Sequence, residues 1–576
     1  MLNQKVKYSQ IRTACFITVS GICISIHPLA QAQDAGALQR QLQQQIEREA
    51  PQAPISNEKP VEKKQIDPNE QKIQIKSFTF KGNQLISQAE LEALSKQWTD
   101  RDISFSDLKD LTVAIQDLYA KKNRIAQANV PPQETKNKSV LIEINEGKLG
   151  AVIIQPMIAG QQTRFPEGMA QLYFSKAADG TQYIDTQRIE RAMTLLNELP
   201  GVAATGEFEP GTRVGDTDFR VKLADGPFVN GLVAVSNYGS PSTGVGQLIG
   251  NLSLNNLSGI GDQVTLDAIQ SWGSTYGQIG YSLPVGYDGW RLGAQASYLN
   301  YQTIDDWSTI QTSGTASTYG LNATYPLIRS NGEAMNLKFG LEKRTYSNTQ
   351  SGQNINSHQI NALSAGVNGN ISDSAKSVIN YSLTATYGKL DINNLSQAAQ
   401  DLAGPGTTGP YAKLAFNLAR NQDVTSLPAT NWLVSVYGQL ANTNLNSSEQ
   451  LYMGGAYGVR AYPVAQGGGS QGAILTNELQ HKLNKNWQLG GFVDVGYVQQ
   501  YVNLYPNWQG LTHANNSYTL AAFGPTVKYS INNVTVNAAL AMRIGDNPLY
   551  TSSGQQLNGD NAYRLYQGWV KASYAF

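Results

Sequence analysis

From about Pro227 to Phe576 the chain has no helical period. Segments of 9–14 residues alternate apolar with polar or small side chains, and Gly, Asn, Asp and Pro separate them. Trp432-Leu433-Val434-Ser435-Val436-Tyr437 is one such run. In another, Val534, Val536, Ala538, Leu540 and Met542 share a face opposite Thr535, Asn537 and Arg543. About sixteen segments fit between 227 and 576, and a single-chain membrane barrel requires an even number. Short turns such as Tyr287-Asp288-Gly289 and Ser330-Asn331-Gly332 alternate with longer loops rich in Ser, Thr, Asn and Gln. That asymmetry suits tight periplasmic turns and long outer loops. No segment offers 18 consecutive apolar residues, so no helix is expected to span a membrane. A soluble sandwich would also alternate, but not through sixteen strands in a chain with 29 tyrosines and 54 glycines.

The N-terminus fits export. Lys5, Lys7 and Arg12 form a positive region, an apolar stretch runs from about Ala14 to Ile26, and Ala30-Gln31-Ala32 supplies a cleavage pattern, so residues 1–32 read as a signal peptide. Both cysteines, Cys15 and Cys23, lie inside it, and the mature chain is expected to be cysteine-free, as suits passage through an oxidising periplasm. Charged residues are only 15% of the chain, low for a soluble protein. The 43 Lys and Arg balance 43 Asp and Glu, which leaves no basic field for nucleic acid.

Between signal and barrel lie four regions. Residues 33–50 have a thin helical stripe of Leu38, Leu42 and Ile46 on a Gln-, Arg- and Glu-rich background. That helix suits a polar cavity; a solvated, frayed helix fits the pattern equally. Residues 51–71 are rich in Pro and charge and read as a linker. Residues 72–148 and 149–226 are two units with β-α-α-β-β patterning. The first has a strand through Ile73, Ile75, Phe78 and Phe80, a capping-box start at Ser87-Gln88-Ala89-Glu90, and a second helix carrying Leu108, Leu111, Ile115 and Leu118. The second repeats the plan, with one helix placed around Asp185–Leu199.

Two motifs within the barrel region carry chemistry. A long loop, 446–471, contains Tyr457-Gly458-Val459-Arg460-Ala461-Tyr462-Pro463, an arginine among aromatics. The strand after it, Trp487 to Tyr497, directs Trp487, Leu489, Val493, Val495 and Tyr497 to lipid and Gln488, Phe492, Asp494 and Gly496 to the lumen. A carboxylate on an inner wall requires a cation and hydrogen bonds. Arg460 on a loop folded into the barrel would supply a bidentate partner, with Gly490 and Gly496 leaving room for its approach. The alternative is that Asp494 is an ordinary lumen charge and Arg460 is solvated. Among the histidines, His358, His481 and His513 sit in no nucleophile or metal motif, so no catalytic residue, metal or cofactor is expected.

The two preceding units, the barrel size, the loop motif and the strand motif Phe492-Val493-Asp494-Val495-Gly496 together resemble the outer-membrane transporters of two-partner secretion. This is the TpsB family of ShlB/FhaC/HecB haemolysin secretion/activation type, CdiB-like members included. The loop departs from its Val-Arg-Gly-Tyr pattern at Ala461. The resemblance implies an all-β transmembrane barrel of about 16 antiparallel strands, two α+β POTRA domains and an N-terminal plug helix. It also implies an Arg460–Asp494 lock between loop and wall. The function implied is export of an unfolded partner exoprotein (TpsA type) from periplasm to cell surface, captured through the POTRA domains by strand addition. Outer-membrane lipids, barrel-assembly machinery and periplasmic chaperones are the further partners expected. The terminal aromatic, Phe576, on a face with Val570, Ala572 and Tyr574, resembles the signal that the assembly machinery reads. An assembly insertase of the same superfamily is the nearer alternative reading, a diffusion porin or a hydrolase barrel the more distant ones.

Overall fold

The computed structural model describes residues 34–49, 72–134, 138–175, 182–213, 215–304, 311–330, 332–373, 376–509, 515–550, 556 and 564–576. The expected signal peptide and linker, and His513, lie outside the described residues. Sixteen strands, from Val229–Ser236 to Tyr566–Ala575, pair antiparallel in chain order and close into one barrel. Side-chain alternation follows directly: Trp487, Leu489, Val493 and Tyr497 are exposed on the outer wall, while Phe492 and Asp494 are 3% and 0% exposed inside it.

Strands are 8 to 21 residues long, and six of them, the longest being Gln353–Asp373, exceed the 9–14 residues that alternation suggested. Beyond the apolar band the outward face is polar as well, as at Thr345, Ser347 and Thr349. The period is then invisible in the sequence although the ladder hydrogen bonds continue. The pore loop, by contrast, is longer than the expected 446–471 because the strand before it ends early, at Ala441, and the next begins at Gln471. One outer loop also holds a helix, Leu395–Ala403, where no helix was expected; Asn394 caps it by accepting from the backbone N–H groups of Ser396 and Gln397.

In the first periplasmic unit, strand Ser77–Lys81 runs parallel to Ser139–Glu146, which pairs antiparallel with Ala126–Asn129. Helices Gln88–Ser95 and Phe105–Lys121 cover this sheet. Each starts with a reciprocal capping box, Ser87 with Glu90 and Ser104 with Asp107. Leu111 and Ile115 are fully buried, each contributing about 2–3 kcal/mol of transfer free energy. The unit also buries one carboxylate. Glu146 accepts from the Tyr119 hydroxyl at 2.7 Å and from the backbone N–H groups of Gln84 and Leu85 at 2.8 and 2.7 Å. Burial, then the neighbouring carboxylate, pushes the Tyr119 phenol well above its ordinary pKa, so it remains a donor.

The second unit orders its strands Lys148–Pro156, Asp216–Asp225, Val202–Pro210, under helices Glu167–Tyr173 and Thr186–Asn197. The first of these helices, at 7 residues, is too short to show a helical period. This unit abuts the periplasmic turns of the barrel. Arg191 donates to the Pro326 carbonyl at 2.7 Å, Arg164 to the Asn255 carbonyl at 3.2 Å, and Arg329 of the barrel pairs with Glu198. At Gly289, which has φ +98°, an added Cβ would lie 2.8 Å from Leu195, so the turn comes within contact of the helix.

Replacing Glu146 by Ala is expected to strip the turn at 84–85 of its acceptor and cost about 1.5–3 kcal/mol. Amide hydrogen exchange on the full chain should then speed up at Gln84 and Leu85 while barrel amides stay protected; unchanged exchange at these two amides would contradict the assignment.

Candidate functional site: a loop held across the lumen

The loop between Ala441 and Gln471 folds back into the barrel and is shaped by close backbone contacts. Val459 N–H donates to the Met453 carbonyl at 2.7 Å and Tyr462 N–H to the Val459 carbonyl at 3.1 Å. A side chain at Gly458 would place its Cβ 1.9 Å from the Met453 carbonyl oxygen, so only glycine fits. Ala461 is buried and is not among the residues with positive φ, so this position does not require the glycine of the family pattern.

This tight turn presents Arg460 to the wall. Its Nε and Nη2 donate to the two oxygens of Asp494 at 2.8 and 2.9 Å, and its backbone N–H reaches the same carboxylate at 3.2 Å. Nη1 donates to Glu478 at 2.8 Å, and the guanidinium lies 3.4 Å from the centroid of the Phe492 ring. The components of a strong site are present: a planar fork, two carboxylates, an aromatic face and low exposure of Asp494. Val459 and Met453 pack on Gly496, where a Cβ would lie 2.8 Å from each. Gly490 has a different role from the one expected. A Cβ there would meet Thr526 Oγ1 at 2.3 Å, and that hydroxyl hydrogen-bonds Glu478 at 3.1 Å. Gly490 therefore makes room for the support of Glu478, not for the loop.

The loop tip also reaches the strands that close the barrel. Trp569 Nε1, on the last strand, donates to the Arg460 carbonyl at 2.7 Å. Tyr238, just beyond the first strand, packs edge-on against both Trp569 and Tyr457. Arg543 lies over the Tyr462 ring at 4.5 Å.

A second anchor lies at the beginning of the loop. Glu449 is 1% exposed and pairs with Arg344 and with Lys413, the latter at 2.6 Å. Its backbone carbonyl accepts from Lys413 and from Gln439 at 3.2 and 2.9 Å. Next to it, Ser447 and Ser448 meet the helix Ala35–Glu49, which lies inside the barrel. Leu38 and Leu42 are buried among lumen residues that include Ile249, Leu299 and Ile360, with Ile46 partly buried beside them. The polar side of the helix is matched to the wall: Gln39 donates to Ser297 and Thr318 at 3.2 and 3.0 Å, and Ala35 N–H to Asn348 at 2.8 Å. Asp34 pairs with the Ser447 hydroxyl, and a Cβ on Gly36 would lie 2.5 Å from that of Ser448. A solvated N-terminal helix, the other reading of this segment, is not what the structure contains.

Glu478, Glu449, Arg344 and Lys413 were not singled out by sequence. The available signal was parity, because each of the three strand residues lies on a lumen-facing position. Phe576 joins its strand to the first one through reciprocal backbone bonds with Gly231 at 2.9 and 3.0 Å. His358 is buried against Tyr346, and His481 hydrogen-bonds the Thr430 hydroxyl at 2.9 Å.

Arg460→Ala is expected to leave two buried carboxylates facing each other and cost about 3–5 kcal/mol of loop docking. Limited proteolysis of the folded barrel should then cut between Met453 and Gln466, where the wild type resists. Arg460→Lys is expected to behave like the alanine variant, since an ammonium cannot form the fork.

The comparisons with known proteins agree with this geometry. The model of the haemolysin secretion/activation protein family ShlB/FhaC/HecB matches residues 215–563, and that of the ShlB-type POTRA domain matches residues 73–147. The chain is 25% identical to the heme/hemopexin transporter protein HuxB of Haemophilus influenzae strain 86-028NP, over 95% of this chain and 97% of that one. It is 26% identical to the outer membrane transporter CdiB of Dickeya dadantii, over 72% of each. In fold it resembles CdiB from Escherichia coli, with a TM-score of 0.67 at 21% identity, covering 94% of this chain and 98% of that one. BamA from Haemophilus ducreyi shares the fold more distantly, with a TM-score of 0.53 at 12% identity over 88% of this chain and 100% of that one. The chain thus belongs to the ShlB/FhaC/HecB haemolysin secretion/activation family and is an outer-membrane transporter of the two-partner secretion type, its POTRA domains lying in the periplasm.

Proposed function

We propose that the chain exports one dedicated exoprotein, threading it unfolded through the lumen that the helix 35–49 now fills. The observation that carries this reading is the contrast between two occupants of the same lumen. The loop is held by buried ion pairs at Arg460 and Glu449, whereas the helix meets the lumen mostly through hydroxyl and amide hydrogen bonds and two leucines, with Asp34 accepting from the Ser447 hydroxyl and Arg40 in the field of Glu449. A neutral hydrogen bond contributes about 0.5–1.5 kcal/mol net, and breaking a buried ion pair costs about 3–5 kcal/mol. The helix is the part built to leave and the loop the part built to stay.

On this reading the POTRA domains capture the partner by strand addition, Arg460 and Asp494 hold the loop in register with the passing chain, and Phe576 directs the barrel to the assembly machinery, with periplasmic chaperones and outer-membrane lipids as further partners. Residues 1–32 are removed as a signal peptide. No chemical step is assigned to the chain. The partner is a TpsA-type exoprotein of the cytolysin, adhesin or contact-dependent growth-inhibition toxin kind; the heme/hemopexin transporter HuxB and the haemolysin transporter HpmB of Proteus mirabilis add haemopexin-related and haemolysin cargo as the classes that relatives suggest.

The first test compares surface and secreted proteins with and without the gene. Loss of one large exoprotein, other outer-membrane proteins unchanged, is the expected result; broad depletion of outer-membrane proteins would instead make the chain an insertase. Arg460→Ala should leave the barrel assembled but cut export strongly, and normal export by that variant would remove the lock from the mechanism. Glu449→Ala should free the loop start on which the helix rests, so single-channel recordings in planar bilayers should show the pore open more often than in the wild type. An unchanged open fraction would separate Glu449 from helix retention.

A further inference from the structure

Strands Thr312–Ser330, Glu333–Gln350, Gln353–Asp373 and Ser377–Ile392 present their outward residues in register. One row is apolar: Leu321 opposite Leu341, Leu341 opposite Leu363, and Leu363 opposite Tyr387, all more than half exposed. The next row toward the outer hairpin reads Tyr319, Lys343, Asn361, Lys389. The row beyond is Ser317, Thr345, Gln359 and Asp391. These rows lie toward the end of the barrel opposite the turn whose Pro326 carbonyl Arg191 of the second periplasmic unit holds, so the lysines stand on the extracellular side. They occupy the first polar row above the apolar band.

A lysine on the lipid face costs about 2–4 kcal/mol at the bilayer midplane and about 0–1 kcal/mol near the interface. Its position here is therefore affordable only at headgroup level. Lys343 and Lys389 flank Asn361 across two strand spacings, about 10 Å. Lys389 pairs with Asp391 at 2.8 Å, its side chain still 60% exposed, whereas Lys343 enters no ion pair among the described residues. Beside and below this row the wall is indented. Of two small outward residues, Ala294 lies between Tyr281 and Leu321 in the leucine row and Ala296 between Ile279 and Tyr319 in the lysine row, within a depression of about 880 Å³ whose lining includes both lysines. An apolar trough ending in separated cations and an amide is complementary to an acylated lipid that carries phosphoryl groups.

We propose that this face is a binding site for a phosphorylated, multiply acylated lipid of the outer leaflet. The acyl chains lie along Ala294, Ala296 and Leu321, and the phosphoryl groups bridge Lys343, Asn361 and Lys389. Tyr319 in the lysine row and Tyr387 in the leucine row border the headgroup.

The test uses the full-length barrel in detergent, with native mass spectrometry as readout and three probes: bis-phosphorylated lipid A, the same lipid dephosphorylated, and inorganic phosphate. The wild type should retain the phosphorylated lipid at least tenfold more than the dephosphorylated one. The Lys343→Gln/Lys389→Gln variant should lose that preference, and Leu321→Ala/Leu341→Ala should weaken retention of both lipids. Lys343→Arg should keep the preference, which separates charge from any change in the barrel, whose folded state is checked by heat-shifted electrophoretic migration. Equal retention of the two lipids by the wild type, or an undiminished preference in the double lysine variant, would overturn the site. Displacement of the lipid by inorganic phosphate at equal concentration would also overturn it, because it would leave the trough without a role.

Discussion

The fork of Arg460 on Asp494 is the contact on which the interior depends. In a barrel wall with Asp494 fully buried, an unpaired carboxylate would carry its whole desolvation cost, and only a group with fixed geometry and several donors offsets it. Arg460 supplies three side-chain donors and a backbone N–H to two carboxylates. Because that arginine sits on a long loop, satisfying the wall also fixes the loop. A loop of this length would otherwise lose entropy on docking without a compensating contact.

Everything else in the lumen is built on that placement. With the tip fixed, the carbonyl of Arg460 receives Trp569 from the closing strand, and Tyr457 reaches Tyr238 beside the opening one. The two strands share only the pairs from Lys571 opposite Ser236 to Ala575 opposite Leu232, so the loop adds contacts where the barrel has its shortest ladder. At its other end the loop presents Ser447 and Ser448, and the helix 35–49 rests on them. The order of strength follows from the chemistry: several buried charge pairs hold the loop, while the helix relies mostly on hydroxyl and amide contacts, with Asp34 on the Ser447 hydroxyl. A fifteen-residue helix with little apolar surface is marginal alone, so its helicity depends on the lumen that receives it.

Polarity divides the strands into two independent surfaces. Inward residues bind the loop and helix, and outward residues answer to lipid, so a change on one face need not disturb the other. The lysine row above the apolar band belongs wholly to the second surface. The periplasmic units stand apart again, each with its own core. The second is tied to the turns through arginine-to-carbonyl bonds that set how captured cargo would approach the pore.

Much of this was legible in the residues because the relevant signals are local. A side-chain period of two separates lumen from lipid along Trp487–Gln499 without knowledge of any partner strand, and the capping box at Ser87 marks a helix start within four residues. The arginine and aspartate could be paired because a buried charge requires a partner and the motifs name both. Strand ends were less legible, since alternation stops where both faces meet water although pairing continues. The rest was decided by tertiary structure alone. That Glu478 shares Arg460, that Glu449 lies between Arg344 and Lys413, and that the thin stripe of Leu38, Leu42 and Ile46 faces a lumen instead of solvent all depend on register and closure around the barrel. Those relations join residues far apart in the chain, and no local period encodes which distant strand a loop will meet.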